Sequence, residues 1–247
     1  MARWLASVSD LTGIVLINET RRTKLRRVQR EIRRSGFWTF WDVLAFRLYY
    51  RLKLSRADTE WELRTIDELS RRYPEPATSI PTLACASPNT SEVREFIRLA
   101  QPDLAIARCK VLLKEEIFRL PKRGTFVMHP GVCPEYRNAH GCFWALANRD
   151  LEHVGMTLLR IDRGVDTGPV FGYYSCRFDE LRESHFVIQQ RVVFDNLDLL
   201  AEKLRDIHEG RTCPLNTSGR RSGVWGQPWL SRYLRWKREA ALRSAAR

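Results

Sequence analysis

The chain has 247 residues, 44% of them apolar, so it can bury a full core and form one domain with extensions. It has no apolar run of membrane-spanning length, no signal-peptide pattern at its start and no zinc-ligand spacing among its six cysteines, so we expect an intracellular protein with reduced thiols and no metal site. The formal net charge of +13 predicts attraction to an anionic partner, such as nucleic acid, a phosphorylated ligand or an acidic membrane surface.

The first part of the sequence predicts helices interrupted by one short strand. Residues 1–9 are weakly helical, and Gly13–Glu19 is a short apolar run typical of a buried strand. Three helical segments follow, and the first of them is strongly basic. They are predicted at Arg21–Arg34, Phe37–Leu54 and Asp58–Arg72.

From Thr82 onward, short apolar strands alternate with helices, a pattern typical of an α/β fold with a parallel sheet. Strands are predicted at Thr82–Cys85, Asp103–Cys109, Gly124–His129, Val154–Asp162 and Gly168–Phe178. Helices are predicted at Ser91–Ala100, Lys114–Leu120, Gly141–Asp150 and Glu183–Glu209. Because only a short loop joins the last two strands, we expect them to be antiparallel. After Gly210 the chain is predicted to be loop-like until a basic amphipathic helix at Trp229–Arg247.

Two titratable residues follow predicted strands directly. His129 ends the run TFVMH, and Asp166 lies in the loop after TLLRID. In open α/β sheets ligands bind outside the carboxyl ends of the strands, and a histidine beside a carboxylate can act as an acid/base pair. The residues alone leave simpler interpretations open: a hydrogen-bonded surface histidine and an Asx-turn aspartate.

One segment combines several motifs in a fixed order. A strand ending in His-Pro is followed by PEYRN, an aromatic helix with WAL, the strand VGMTLLRID and the loop GVDTGPV. In this order the segment resembles the formyltransferase family, which includes methionyl-tRNA formyltransferase, phosphoribosylglycinamide formyltransferase and the sugar N-formyltransferases. The resemblance implies a Rossmann-like, mostly parallel sheet flanked by helices. It also implies transfer of a formyl group from 10-formyltetrahydrofolate to an amine.

The resemblance assigns catalytic roles to individual residues. The family's catalytic histidine and aspartate fall on His129 and Asp166, and an imidazolium held by a carboxylate can stabilise an oxyanion or protonate a leaving nitrogen. The family's third residue, an asparagine, falls on Val127, which has no hydrogen-bond donor. Asn138 and His140 are candidate replacement donors, with plain loop hydrogen bonding as the alternative.

The resemblance also places the formyl donor. The family's folate-binding segment falls on KVLLKEE, where the pocket is made largely by backbone groups, and the loop Asp162–Val165 would close over the other side. The predicted donor-binding residues are Val111, Leu112, Leu113, Asp162, Gly164 and Val165. Ordinary core packing is the alternative for the apolar ones.

Two departures from the family affect the expected function. The family's first strand has no counterpart before Gly13, so we expect a gap at the centre of the sheet. We expect an α/β domain over 1–209 with a helical insertion at 21–72, then a basic extension over 210–247. Because methionyl-tRNA formyltransferases carry a larger additional domain, a small amine such as an amino sugar is the expected acceptor. A catalytically weak or inactive binding protein of the same fold is the alternative.

Arginine and aromatic side chains occur together in 21–54 and 229–247. They could form a solvated face above packed aromatic residues, or adsorb to an anionic membrane surface. Nucleic-acid binding is a third interpretation, although the sequence contains no recognisable nucleic-acid module. The expected location is the cytoplasm, including the inner face of the membrane, and the oligomeric state is left open.

Overall fold

A computed structural model of the protein describes residues 1–18 and 37–246, so the predicted basic helix Arg21–Arg34 lies outside the described residues. The helices are α1 (Ala2–Val8), α2 (Phe37–Tyr49), α3 (Ser55–Arg72), α4 (Ser91–Ala100), α5 (Glu115–Phe118), α6 (Gly141–Ala147), α7 (His185–Phe194), α8 (Leu197–His208) and α9 (Leu230–Ala245). The strands are β1 (Ile14–Ile17), β2 (Thr82–Cys85), β3 (Leu104–Ile106), β4 (Gly124–His129), β5 (Arg137–Asn138), β6 (Met156–Arg160), β7 (Val170–Tyr174) and β8 (Val224–Trp225).

The larger strands form two sheets, and the predicted α/β fold is confirmed. Strands β1 and β2 pair in parallel, while a four-stranded sheet has the order β3-β4-β6-β7. Strand β3 runs parallel to β4, and β6 and β7 are added antiparallel, as expected for the last two strands. Among the described residues no strand joins the two sheets. This division corresponds to the gap expected from the sequence.

The core lies between the four-stranded sheet and helices α6, α7 and α8. Helix α6 is buried along its whole length, because its sequence GCFWALA offers only small, apolar and aromatic side chains. Its residues share one apolar cluster with Phe126 of β4, Leu158 of β6 and the buried faces of α7 and α8. Burying this much apolar surface stabilises the sheet edge on which the candidate site lies.

Two predicted helical boundaries are wrong. Helices α2 and α3 are continuous, joined by a π-helical turn at Tyr50–Leu54, so no break separates the second and third predicted helices. Conversely, Glu183–Glu209 is two helices. The side-chain amide of Asn196 donates to the carbonyl oxygens of Ser175 and Val192, which fixes a non-helical backbone between α7 and α8.

The stretch after Gly210 is more ordered than the sequence indicates. Strand β8 pairs in parallel with β5, and the ring of Trp225 stacks on Tyr136 at 5.7 Å between centroids. Helix α9 buries Tyr233 and Trp236 in the main core. The domain boundary at Gly210 stays a prediction, while these contacts hold the later residues against the loop that carries β5.

All six cysteines are free thiols. No helix in the described ranges combines the length and apolarity needed to cross a bilayer. Within the same ranges, His, Cys, Asp and Glu side chains form no group of three or more that could hold a metal ion.

Candidate active site

Strand β4 ends at His129, whose buried imidazole contacts two oxygen atoms. Its Nε2 lies 2.8 Å from the carbonyl oxygen of Tyr136. Because a carbonyl can only accept a hydrogen bond, Nε2 carries a proton. The other nitrogen, Nδ1, lies 3.5 Å from Oδ2 of Asp166. Nδ1 is therefore the nitrogen left for proton transfer, and it lies beside the carboxylate of Asp166.

Two glycines allow the loop after β4 to fold back beneath this histidine. A Cβ atom on Gly131 would lie 2.5 Å from the carbonyl oxygen of Tyr136 and 2.8 Å from Nε2 of His129. A Cβ atom on Gly141 would lie 2.4 Å from the Cα atom of Gly131. Side chains cannot be accommodated at such distances, so close backbone approach requires glycine at both positions.

Asp166 is fixed from its other side by the loop that contains β5. Its backbone is left-handed, with φ 51°, and its Oδ2 accepts a hydrogen bond of 2.8 Å from the backbone N–H of Asn138. The side-chain amide of Asn138 donates instead to the carbonyl oxygen of Trp225. Nearby, Arg137 donates to the carbonyl oxygen of Val165 at 3.1 Å. The β5 loop thus orients both Asp166 and the residue before it.

His140 lies at the start of α6 and has a different environment from His129. Its Nδ1 is buried and has no hydrogen-bond partner among the described residues. Burial lowers the pKa of His140 from 6.5 to about 4, and the positive charge of Lys110 acts in the same direction, while a hydrogen bond with Gln227 opposes them. The ring is therefore neutral near pH 7.

A narrow cleft of about 100 Å³ lies in front of Asp166. One wall is formed by the segment before α5 and the other by the loop after β6, with side chains of β4 and β6 between them. Its lining includes all six predicted donor-binding residues: Val111, Leu112, Leu113, Asp162, Gly164 and Val165. Asp166 also lines the cleft, whereas His129, Asn138 and His140 do not. The structure therefore brings the two predicted donor segments together but leaves the two candidate replacement donors outside.

Val127 contributes an apolar side chain to this cleft. It packs against the cluster of Cys133, Leu159 and Val170, and it is partly exposed. Methyl groups thus occupy the part of the cleft where the family resemblance leads us to expect an amide donor.

Several residues that organise the site were missed in the sequence. Thr157 of β6 is buried beside His129 in the strand register, where its hydroxyl donates to the carbonyl oxygen of Gly131 and accepts from the N–H of Cys133. In the sequence, Thr157 could have been noticed only as a polar residue inside the apolar strand VGMTLLRID. The ion pair of Arg220 with Glu135, at 2.8 Å, has no local sequence signal because its partners are 85 positions apart.

A family model described as formyl transferase matches residues 67–204, which is more than half of the chain. The chain belongs to the formyl transferase family. The family resemblance inferred from the motifs is thereby confirmed.

Curated members of the family match only in part. The methionyl-tRNA formyltransferase of Pelobacter propionicus is 31% identical over 139 residues, which cover 56% of this chain and 43% of that protein. The methionyl-tRNA formyltransferase of Kosmotoga olearia is 33% identical over 106 residues, covering 42% of this chain and 32% of that protein. The chain thus spans less than half the length of these relatives.

Among solved structures, a variant of HypX from Aquifex aeolicus resembles the chain with a TM-score of 0.50 and 21% identity. The match covers 66% of this chain and 28% of that one. At this level of identity the likeness concerns the fold alone. The Rossmann-like architecture expected for a formyl transferase is confirmed.

Proposed function

We propose that this protein is a folate-dependent N-formyltransferase that moves a formyl group from 10-formyltetrahydrofolate to a small amine, such as an amino sugar. Family membership supports the reaction class. The observation that carries the proposal is that two segments far apart in sequence, each expected to contact the donor, line one cleft with Asp166. Asp166 in turn contacts the strand-end histidine, His129.

The lining of the cleft fits a flat heteroaromatic ring. Its walls combine the apolar residues Val111, Leu112 and Leu113 with the loop Asp162–Val165. Its volume of about 100 Å³ is below the ~300 Å³ typical of pockets that enclose a whole ligand. The cleft would therefore hold the ring system and leave the rest of the donor outside. When bound, the donor supplies the formyl group.

His129 can move the proton that the reaction requires. An amine that gains an acyl group must lose a proton, and the nitrogen that gives the group up must gain one. With Nε2 committed to the carbonyl oxygen of Tyr136, Nδ1 would accept the first proton and return it to the leaving nitrogen. Because His129 does not line the cleft, its ring or the amine must first move into contact. Asp166 stabilises the charged ring between these steps, and the backbone N–H of Asn138 holds Asp166 in place.

The reaction also needs a group that donates a hydrogen bond to the formyl oxygen. Asn138 and His140 remain the candidates. The side-chain amide of Asn138 is engaged by Trp225, whereas Nδ1 of His140 has no partner among the described residues, so His140 has the freer group. Either side chain would have to reorient on substrate binding, because neither lines the cleft.

The second candidate function is a binding protein with weak or no catalysis. Val127 favours it, because loss of one oxyanion donor typically costs about 10²–10³ in rate. The separation of β1–β2 from the four-stranded sheet also favours it. In this case the cleft would bind the folate ring, and His129 and Asp166 would not catalyse formyl transfer.

Calorimetric titration with a non-transferable analogue of 10-formyltetrahydrofolate tests the shared part of both functions. We expect the wild type and the variant His129→Ala to bind it, and Leu112→Asp in the cleft wall to lose binding. Leu99→Asp is the matched control, since Leu99 is 74% exposed on α4 and lies outside the cleft. If the wild type does not bind, both functions are wrong.

Release of tetrahydrofolate from the natural donor then separates the two functions. The enzyme should release it when a small amine is added, whereas a binding protein should not. The curated relatives are named for methionyl-tRNA, so methionyl-tRNA must be compared directly with nucleotide-linked amino sugars. Turnover with methionyl-tRNA alone would contradict the proposed acceptor while leaving the reaction class intact.

A further inference from the structure

An apolar stripe runs along the outer side of α2 and the π-helical turn. We call it the α2 face. It consists of Trp41, Leu44, Leu48 and Leu52, which are 52%, 42%, 58% and 70% exposed. The opposite side of the same helix is buried through Val43 and Phe46. The helix is therefore apolar on both sides, and only one of these sides is used by the core.

The π-helical turn keeps this stripe on one side. Leu44, Leu48 and Leu52 are spaced four residues apart, and in a uniform α-helix each such step rotates the side chain by about 40°. A π-helical turn contains an additional residue, which offsets this rotation between Leu48 and Leu52. The three leucines consequently point in a similar direction.

The charges between the leucines of the stripe are all positive. Between Val43 and Ala57 the sequence contains Arg47, Arg51, Lys53 and Arg56, and it contains no acidic residue. The first three are exposed and form no ion pair with the described part of the chain. The nearest acid before them, Asp42, accepts hydrogen bonds from Ser231. Exposed leucine is therefore bordered by positive charge that has no ion-pair partner within residues 1–18 and 37–246.

Helix α9 lies beside α2 and has a second surface of similar composition. It packs beside α2 through Tyr233, whose ring lies 5.4 Å from Phe46 and 5.7 Å from Tyr49. The side of α9 that points away from this contact exposes Leu234 and Leu242. The same side carries the exposed cations Arg235 and Arg238. Two neighbouring helices thus present the same combination of leucine and arginine.

An open cleft of about 410 Å³ lies where α2 and α9 begin. It is lined by Thr39, Asp42, Trp229, Ser231, Arg232 and Arg235. The lining thus carries the guanidinium groups of Arg232 and Arg235 together with the carboxylate of Asp42, which accepts hydrogen bonds from Ser231. The two guanidinium groups offer hydrogen-bond donors to a phosphate-bearing headgroup, and tryptophan beside them is typical of the interface between water and lipid.

We propose that the α2 face binds the surface of an anionic phospholipid bilayer. Helices with leucine or aromatic residues beside arginine lie in the interface with their apolar side about 5–10 Å deep. Each cation near an anionic surface adds to this affinity. Nucleic acid would use the arginines but would leave the leucines in water, so the leucines favour lipid. None of these residues lines the cleft in front of Asp166, so this surface is separate from the proposed catalytic site.

Vesicle flotation with the whole chain tests this proposal. Vesicles containing equal parts of phosphatidylglycerol and phosphatidylcholine should carry the protein upward at low salt. Vesicles of phosphatidylcholine alone should not. Raising the salt concentration should reduce flotation with the anionic vesicles, because screening weakens the contribution of the arginines.

Variants separate the apolar contribution from the electrostatic one. Leu48→Gln with Leu52→Gln should reduce vesicle affinity at least about tenfold without changing the charge, whereas Leu99→Gln on α4 should leave it unchanged. Arg47→Gln with Arg51→Gln should reduce it about fivefold for each arginine. Circular dichroism and binding of the folate analogue should be unaltered in all three variants.

Three outcomes would overturn the proposal. The first is no flotation with anionic vesicles at low salt. The second is flotation that depends on the arginines but not on Leu48 and Leu52, accompanied by equal binding of an oligonucleotide, which would indicate a general polyanion surface. The third is a dimer that the leucine substitutions dissociate, with no vesicle binding, which would assign the face to a second copy of the chain.

Discussion

Buried histidines lie in two contrasting places. One is the carboxyl end of β4, and the other is a cluster of rings around Phe46, Phe143 and Tyr233, which we call the aromatic layer. At the edge of β4, each ring nitrogen of His129 contacts an oxygen atom. In the layer, His140 and His185 pack 6.2 Å apart, and their Nδ1 atoms have no partner among the described residues. Burial lowers the pKa of both rings, to about 4 for His140 and well below the usual value for His185.

This contrast shows that burial alone does not make a histidine suitable for proton transfer. Desolvation disfavours the charged ring, and an acid within contact distance favours it. Only His129 has both a fixed tautomer, set by Tyr136, and an acid at the other nitrogen, Asp166. We therefore expect proton transfer at the edge of β4 and none in the aromatic layer, where His140 can act only as a neutral hydrogen-bonding group, and the following predictions test that division.

The largest expected effect comes from His129→Ala. Loss of an acid/base group typically costs about 10²–10⁴ in rate, so turnover should fall about 10³-fold while the folate analogue still binds. Steady-state release of tetrahydrofolate and calorimetry measure the two quantities. His208→Ala is the matched control, since the His208 side chain is 52% exposed and lies on α8. A fall of less than tenfold would remove His129 from the proposed mechanism.

The aromatic layer should make the protein sensitive to acid. Unfolded His140 would protonate near pH 6.5, whereas the folded ring resists protonation until about pH 4. Stability is therefore unaffected above pH 6.5 and is lost as the pH falls toward 4, by about 3 kcal/mol from this residue. His185 contributes with the same sign, and the buried Asp58, whose pKa is raised by burial, opposes them.

Urea unfolding between pH 7 and pH 4 measures this effect. His140→Gln should flatten the loss of unfolding free energy with falling pH, and the exposed control His208→Gln should not. An unchanged slope in the His140 variant would mean that folding does not lower the pKa of this ring.

The next effect concerns the apolar residue in the cleft. Val127→Asn would supply an amide in the place that the family resemblance reserves for it, and we expect turnover to rise about 10²-fold. Val127→Leu is the control for a change of shape without a donor. If the Val127→Asn protein folds, binds the folate analogue and turns over no faster than the wild type, another group already supplies the donor.

Asn138→Ala tests whether the Asn138 amide is that donor, and its expected effect on turnover is smaller than that of His129→Ala. The substitution keeps the backbone N–H that donates to Asp166 and removes the amide that donates to Trp225. If the amide reorients to serve the reaction, turnover should fall about 10²-fold. If it only fastens the loop, the unfolding free energy should fall by about 1 kcal/mol and turnover should hardly change.

Features with strong local signals were predictable from the sequence. The bounds of β4 and α4 match their prediction because a glycine opens the first and a capping threonine, Thr90, opens the second. The proximity of His129 and Asp166 followed from the family motifs rather than from any spacing in the chain. The element bounds depend on residues that lie next to them in the sequence, and the proximity of His129 and Asp166 depends on a motif that contains both.

The remaining features depend on distant partners. Strands β5 and β8 have two residues each, too few to show a period, and they pair across a long stretch of sequence. The π-helical turn is a change of hydrogen-bond register that alters no residue type, so apolar spacing did not predict it. The ion pair of Arg220 with Glu135, beside the β5 loop, was missed because its partners are far apart in the sequence.

The smallest expected effect is that of His185→Phe, which tests the structural side of the comparison. The ring of His185 lies 5.3 Å from Phe46 and 5.4 Å from Phe143, so a phenyl ring can take its place among aromatic neighbours. Removing a buried nitrogen that has no described partner should offset the slightly larger volume, and unfolding free energy at pH 7 should change by less than about 1.5 kcal/mol. Turnover should equal that of the wild type, and stability at pH 5 should improve relative to it. If turnover instead falls as far as it does in His129→Ala, the aromatic layer takes part in the chemistry, and the division between the two regions is wrong.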